Sequence, residues 1–122
     1  MILIDTAIWV DHLSHANPTV LNLLAREEVL MHPFVLGEIA LGFLGQRDLI
    51  LTRLGKLPFA ETADDNEVIN LIKTRQMYGT DIGFVDAHLV ASCLLTAGTY
   101  LWTRDRRLAA VAERLGVDAT TA

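Results

Sequence analysis

Apolar positions along this chain come in short unbroken runs and in longer runs, separated by polar or glycine-containing breaks. The short runs read as strands: Met1–Ile4, Val29–His32 and Tyr100–Thr103, with a shorter extended piece at Phe59–Glu61. Between them the pattern predicts helices over Thr6–Leu13, from Pro18 to about Glu27, from Pro33 to about Leu44, and over Arg47–Leu54. Further helices are predicted from about Asn66 to Tyr78, over Phe84–Ala97, and over Arg106–Leu115. Asn17-Pro18 supplies an N-cap and a first-turn proline, and Asp64 or Asp65 caps the helix that Gly79 is expected to end. Gly98 and Gly116 close the last two helices, and the tail after Asp118 is expected to be loose. Strand and helix alternate and every connection is short, so 1–122 reads as a single α/β domain with a central, mostly parallel sheet.

Composition narrows the class. The chain is 52% hydrophobic, yet no run is long enough for a membrane span. Met1 leads straight into the first strand without a basic segment or cleavage site, so no signal peptide is expected. One cysteine, Cys93, excludes an internal disulfide and suits a reducing compartment. The expected location is the cytoplasm. The net charge of −5 opposes a partner held by phosphate contacts alone, unless a cation or a local basic patch intervenes.

The candidate chemistry lies in carboxylates that interrupt apolar sequence. Asp5 ends the first strand and Asp105 follows the last, in YLWTRDRRL. Each can be an N-cap, and each can face a ligand, because sites in open parallel sheets lie beyond the carboxyl ends of the strands. Asp86 is the one acid in the apolar stretch GFVDAHLVASCLL, which should be buried. Compensating a helix dipole there returns about 0.3–1 kcal/mol, less than burial of an ion costs. Glu38 sits more than a turn past Pro33 in FVLGEIALGFL, so it is no cap; it is either a ligand or part of an exposed stripe. Gly37 beside it suggests a close approach to the backbone. Carboxylates about 4 Å apart repel by roughly 4 kcal/mol at an effective dielectric near 20, so a cluster of them needs a counter-charge. All-oxygen donors suit Mg²⁺ or Mn²⁺ better than Zn²⁺.

These residues carry a resemblance. The chain resembles the PIN-domain ribonucleases, and more closely the VapC-type toxins of bacterial toxin–antitoxin pairs, essentially from end to end. ILIDTAIWVDHL is similar to the family's opening strand and helix, with Asp5 and its neighbour Thr6. Glu38 matches the second acid, Asp86 in VDAHLVASCL the third, and TRDRRL, with Thr103 and Asp105, the closing motif. The resemblance implies a three-layer α/β/α PIN-like fold and a Mg²⁺- or Mn²⁺-dependent endoribonuclease site. It also implies a homodimer restrained by a cognate antitoxin, and a structured RNA substrate such as tRNA or rRNA.

On this reading Asp5, Asp86 and Asp105 hold metal, Glu38 is a ligand or orients one, and Thr6 and Thr103 either support them or are ordinary turn hydroxyls. A bound metal would activate water for phosphodiester hydrolysis and leave a 5′-phosphate and a 3′-hydroxyl. Arg104, Arg106 and Arg107 are candidate phosphate contacts, because positive charge at a helix start is otherwise mildly unfavourable. The apolar residues Leu41, Phe43, Leu44, Leu49, Ile50 and Leu54 exceed one core face, and part of them is expected to meet the antitoxin.

Other residues promise less. His12 and His15 have helical spacing but no further ligand in view; His32 and His88 read as packing or surface residues; Cys93 reads as a small buried hydrophobe. A haloacid-dehalogenase-type phosphatase needs a second Asp two residues after the first, where this chain has Ala7. A receiver-type switch needs a Lys at a late strand end, and neither Lys56 nor Lys73 is so placed. The non-enzymatic alternative is a PIN-like binding module whose acids are merely caps.

Overall fold

The computed structural model describes residues 1–121. Three strands, β1 (Ile2–Ile4), β2 (Val29–Leu30) and β3 (Tyr100–Trp102), form a parallel sheet in the order β2-β1-β3. The register pairs Leu3 with both Leu30 and Leu101, and Ile4 with Trp102. Single parallel bridges, Met31 to Phe59 and Leu101 to Asp118, widen each edge. The helices are α1 (Thr6–Ser14), α2 (Pro18–Ala25), α3 (Pro33–Ala40), α4 (Arg47–Gly55), α5 (Asp65–Thr74), α6 (Phe84–Leu95) and α7 (Arg106–Arg114). None is long and apolar enough to cross a membrane.

The strand order sets the layers. β1 connects outward to β2, and the chain then returns across the sheet to β3 on the other side of β1. Parallel connections are right-handed, so two that run in opposite directions put their helices on opposite faces. This gives the three-layer α/β/α arrangement. The same reversal opens a crevice beyond the carboxyl ends of β1 and β3, where their following segments diverge.

The core lies on the sheet. Leu3, Ile4, Ile8, Val20, Val35, Leu89, Leu101 and Leu108 are fully buried, together with Trp9, Met31 and Ile39. A smaller cluster of Ala63, Val68, Ala87 and Ala91 joins α5 to α6. As its pattern predicts, α6 is the most buried helix, enclosed from Ala87 to Cys93.

Helix ends are where the sequence reading needs correcting. α2 stops at Ala25 and α5 at Thr74, each closed by a left-handed polar residue, Glu27 at φ 56° and Gln76 at φ 55°. In each the next amide reaches back to the third-last helical carbonyl, Glu28 N–H to Leu23 at 3.0 Å and Met77 N–H to Ile72 at 2.9 Å. Only α7 uses the expected glycine, Gly116 at φ 76°. α5 therefore ends before Gly79, and Tyr78 belongs to the loop. α3 ends at Ala40 rather than near Leu44, because Leu41 and Gly42 close a tight turn onto Glu38 and Ile39. β2 is only two residues long; His32 leaves it to cap α3, its Nδ1 accepting the Phe34 N–H at 3.0 Å. α6 ends at Leu95. The tail is not loose over 119–121: a 3₁₀ turn forms there, Val117 O accepts the Leu101 N–H at 2.7 Å, and Thr120 donates to Asp118.

Candidate active site

The end of β1 fixes Asp5, whose N–H donates to Trp102 O of β3 at 2.9 Å. Its carboxylate then divides its work. Oδ1 accepts the Thr6 N–H at 2.8 Å as the cap of α1, and Oδ2 accepts the Thr103 hydroxyl at 2.6 Å. Thr103 is outside β3, contrary to the expected strand end, and so its hydroxyl is available to link two acids. It donates to Asp5 and accepts the Asp105 N–H at 3.1 Å.

Asp105 caps α7. One oxygen, Oδ1, takes both the Arg107 and the Leu108 amides, at 2.9 and 3.1 Å. Oδ2 is left without a protein partner among the described residues. Asp86, in the first turn of α6, reaches back to the Gly83 N–H at 3.3 Å through Oδ2. Glu38 on α3 accepts the Thr6 hydroxyl at 2.8 Å through Oε1. Thus Thr6 and Thr103 each hold one carboxylate, and each acid keeps lone pairs unused by the fold. The cap reading and the ligand reading are compatible, because a carboxylate has two oxygens.

Asp86 reports the proximity of the other acids. Its carboxyl is pushed above the usual range chiefly by burial, against the pull of the Gly83 N–H; the charges of Asp5, Asp105 and Glu38 add to the rise. The structure therefore brings the four acids into one electrostatic neighbourhood. Glu38 itself is exposed, so the exposed-stripe alternative describes its environment. Gly37 beside it has open space where a Cβ would be, which corrects the expectation of a close approach there.

These donors suit a hard divalent cation. All are oxygens, and the charges of Asp5, Asp105 and Glu38 that add to the effect of burial on Asp86 are what a cation would offset. Among the described residues no group of three or more acidic, histidine or cysteine side chains is arranged to hold a metal ion by itself. Mg²⁺ does not need one, since it ordinarily keeps several waters and takes one or two carboxylates.

The three candidate arginines separate. Arg104 pairs with Asp11 on α1, so it is not a free phosphate contact. Arg106 and Arg107 are exposed and line a groove along α7. The Asp11 pairing joins two non-adjacent segments, and no local signal could have found it.

The remaining candidates have structural settings. His12 Nδ1 accepts the Asn17 N–H at 2.9 Å, and His15 follows α1 as its C-cap, so they make no metal pair. His32 is buried, and burial, with neighbouring His88 after it, lowers its pKa to about 4. His88 is buried, with Nε2 3.1 Å from Asp65 of α5 and the rings of Phe34 and Phe84 against it. Burial pushes the Cys93 thiol up to about 12, which leaves it inert. Of the apolar excess, Leu54 is core, whereas Leu41 and Phe43 are 90% and 109% exposed.

Comparison with known proteins bears on this arrangement. The family described as PIN domain matches residues 2–114. Ribonuclease VapC32, from each of two strains of Mycobacterium tuberculosis, is 41% identical over 117 residues, covering 96% of this chain and 94% of the relative.

Proposed function

This chain belongs to the PIN-domain family, among the VapC-type ribonucleases, and on that premise we propose that it is a metal-dependent endoribonuclease toxin acting on structured RNA, tRNA or rRNA, and restrained by a cognate antitoxin. The observation that carries the reading is the coupling of Asp5, Glu38, Asp86 and Asp105 at the crevice beyond β1 and β3. A binding module with no reaction to perform would have no use for three further carboxylates whose charges oppose ionisation of a part-buried Asp86.

Asp5, Asp86 and Asp105 would hold Mg²⁺ or Mn²⁺, with Glu38 as a further ligand or the acceptor that orients a water. When bound, such an ion lowers the pKa of water and offsets charge on the phosphodiester. Thr103 holds Asp5 and the Asp105 backbone in one register, and Thr6 holds Glu38. A bound cation would favour the anionic form of Asp86, which burial disfavours. Arg106 and Arg107 offset phosphate charge at the mouth, which reconciles the acidic chain with an anionic substrate.

The antitoxin surface is proposed at the α3–α4 turn, where Leu41 and Phe43 are exposed beside a hollow of about 370 Å³ bordered by Val10, Leu13 and Ile50. A homodimer is proposed through a different helical surface.

The test is cleavage of total RNA by the antitoxin-free protein with Mg²⁺, Mn²⁺ or EDTA, beside Asp86→Asn and Glu38→Gln. Discrete metal-dependent fragments with 5′-phosphates, lost in both variants, are expected. A 2′,3′-cyclic phosphate product would reject metal-assisted hydrolysis, since it signals attack by the ribose 2′-hydroxyl. Absence of both cleavage and metal binding in a folded wild type would leave the acids as caps.

A further inference from the structure

Two hollows meet at Thr80, next to the acids. One, of about 250 Å³, lies under the 78–83 loop and is bordered by Ile72, Met77, Tyr78, Ile82 and Phe84. The other, of about 450 Å³, runs along α7 past Arg106, Arg107, Ala110, Val111 and Arg114.

Both adjoin the site. Gly83 and Ala87 border the first, and the Gly83 amide is the donor to Asp86. Arg106 and Arg107 follow Asp105 directly in the second. The loop between them is shaped rather than slack: Gly79 and Asp81 have φ of 74° and 63°, and the Thr80 hydroxyl donates to Met77 O at 2.6 Å.

The chemistry of the two hollows differs. Three of the ten basic residues, Arg106, Arg107 and Arg114, line the hollow along α7. Arg106 and Arg107 have no carboxylate partner among the described residues, and cations at a helix N-terminus gain nothing from its dipole. Arg114 is fixed at the far end by donating to Arg75 O and Gln76 O at 3.1 and 3.0 Å. The other hollow offers aromatic faces instead. Tyr78 is 64% exposed and Phe84 46%, the latter braced from behind by His88 at 4.7 Å between ring centroids.

We infer that the two hollows together form a track for a single-stranded stretch of RNA. Arg106 and Arg107 hold its phosphates, and the pocket between Tyr78 and Phe84 receives one unstacked base beside the acids. The assignment deepens the nuclease reading and rests on it for the choice of RNA. Aromatic faces favour single strands, because a base must leave its stack to reach them.

The test measures binding of a short labelled RNA, single-stranded or as a duplex, in EDTA across a salt series. Tyr78→Ala should weaken single-strand binding about tenfold with an unchanged salt slope and leave duplex binding alone. Tyr78→Phe should restore it. Arg107→Gln should weaken binding and reduce the salt slope by about one. Equal single-strand affinity in wild type and Tyr78→Ala, both folded by thermal melt, would overturn the assignment. Cleavage with Mn²⁺, run in parallel, separates the two claims. Normal cleavage with unchanged KM in Tyr78→Ala and Arg107→Gln removes the track and spares the nuclease. Binding with the expected variant pattern but no cleavage by wild type does the reverse.

Discussion

Helices α6 and α7 each place an aspartate near their first turn, and the two aspartates live under different rules. Asp86 lies on a helix enclosed from Ala87 to Cys93, is itself part-buried, and has a raised pKa. Asp105 lies in solvent at the start of a helix that buries only Leu108, Val111 and Ala112, and one of its oxygens satisfies two amides. The fold thus strains one carboxylate and rewards the other. The difference teaches that similar acid-bearing turns can contribute oppositely to stability while bordering one candidate site.

The contrast breaks most visibly under neutralisation. Asp86→Asn and Asp105→Asn should each lower cleavage by more than about a hundredfold in single-turnover assays, since loss even of an outer partner costs about 10–100-fold. Only Asp86→Asn should also raise the melting temperature at neutral pH. Equal thermal shifts would dissolve the distinction.

Thr103→Val tests the joint between the acids. It removes the donor to Asp5 and the acceptor for the Asp105 amide, and should cost about 10–100-fold in cleavage with metal affinity reduced in parallel. Wild-type activity would show that the hydroxyl is an ordinary turn group.

Truncation sharpens the stability side. Asp105→Ala should lose about 1 kcal/mol by denaturant titration, whereas Asp105→Asn, an equally good cap, should lose little.

The smallest effect is a pH slope. Asp86 has a higher pKa folded than unfolded, so the folded state holds the extra proton between those two values. Metal-free stability carries no penalty from this group below the ordinary Asp value of 3.8 and loses ground as pH rises through the raised folded value. Comparing the urea midpoint of wild type and Asp86→Asn over that window should show the variant without this decline.

Much of this was legible in the sequence, for identifiable reasons. Strands, the buried helix α6, and Asp5 and Asp105 at strand ends follow from local apolar patterning, which burial enforces directly. The four acids and two threonines could be singled out as candidates because their order and spacing resemble the family pattern. Glu27 and Gln76 ending helices was not legible, because left-handed polar residues leave no signal comparable to glycine. Nor was the pairing of Arg104 with Asp11, which joins segments far apart in the chain, or the pocket at Tyr78, which a loop with left-handed Gly79 and Asp81 shapes within 72–87.

The sequence by itself determined the order and type of the main strands and helices and the family, and it singled out the candidate acids, because those depend on periodicity and on residue chemistry. Only the tertiary structure decided which acid is strained and which is a satisfied cap. It also decided which arginine is spent on an ion pair and which two remain exposed beside the site. Burial and pairing are properties of the assembled surface: a carboxylate's charge costs free energy only once the fold has removed its water and set other charges beside it.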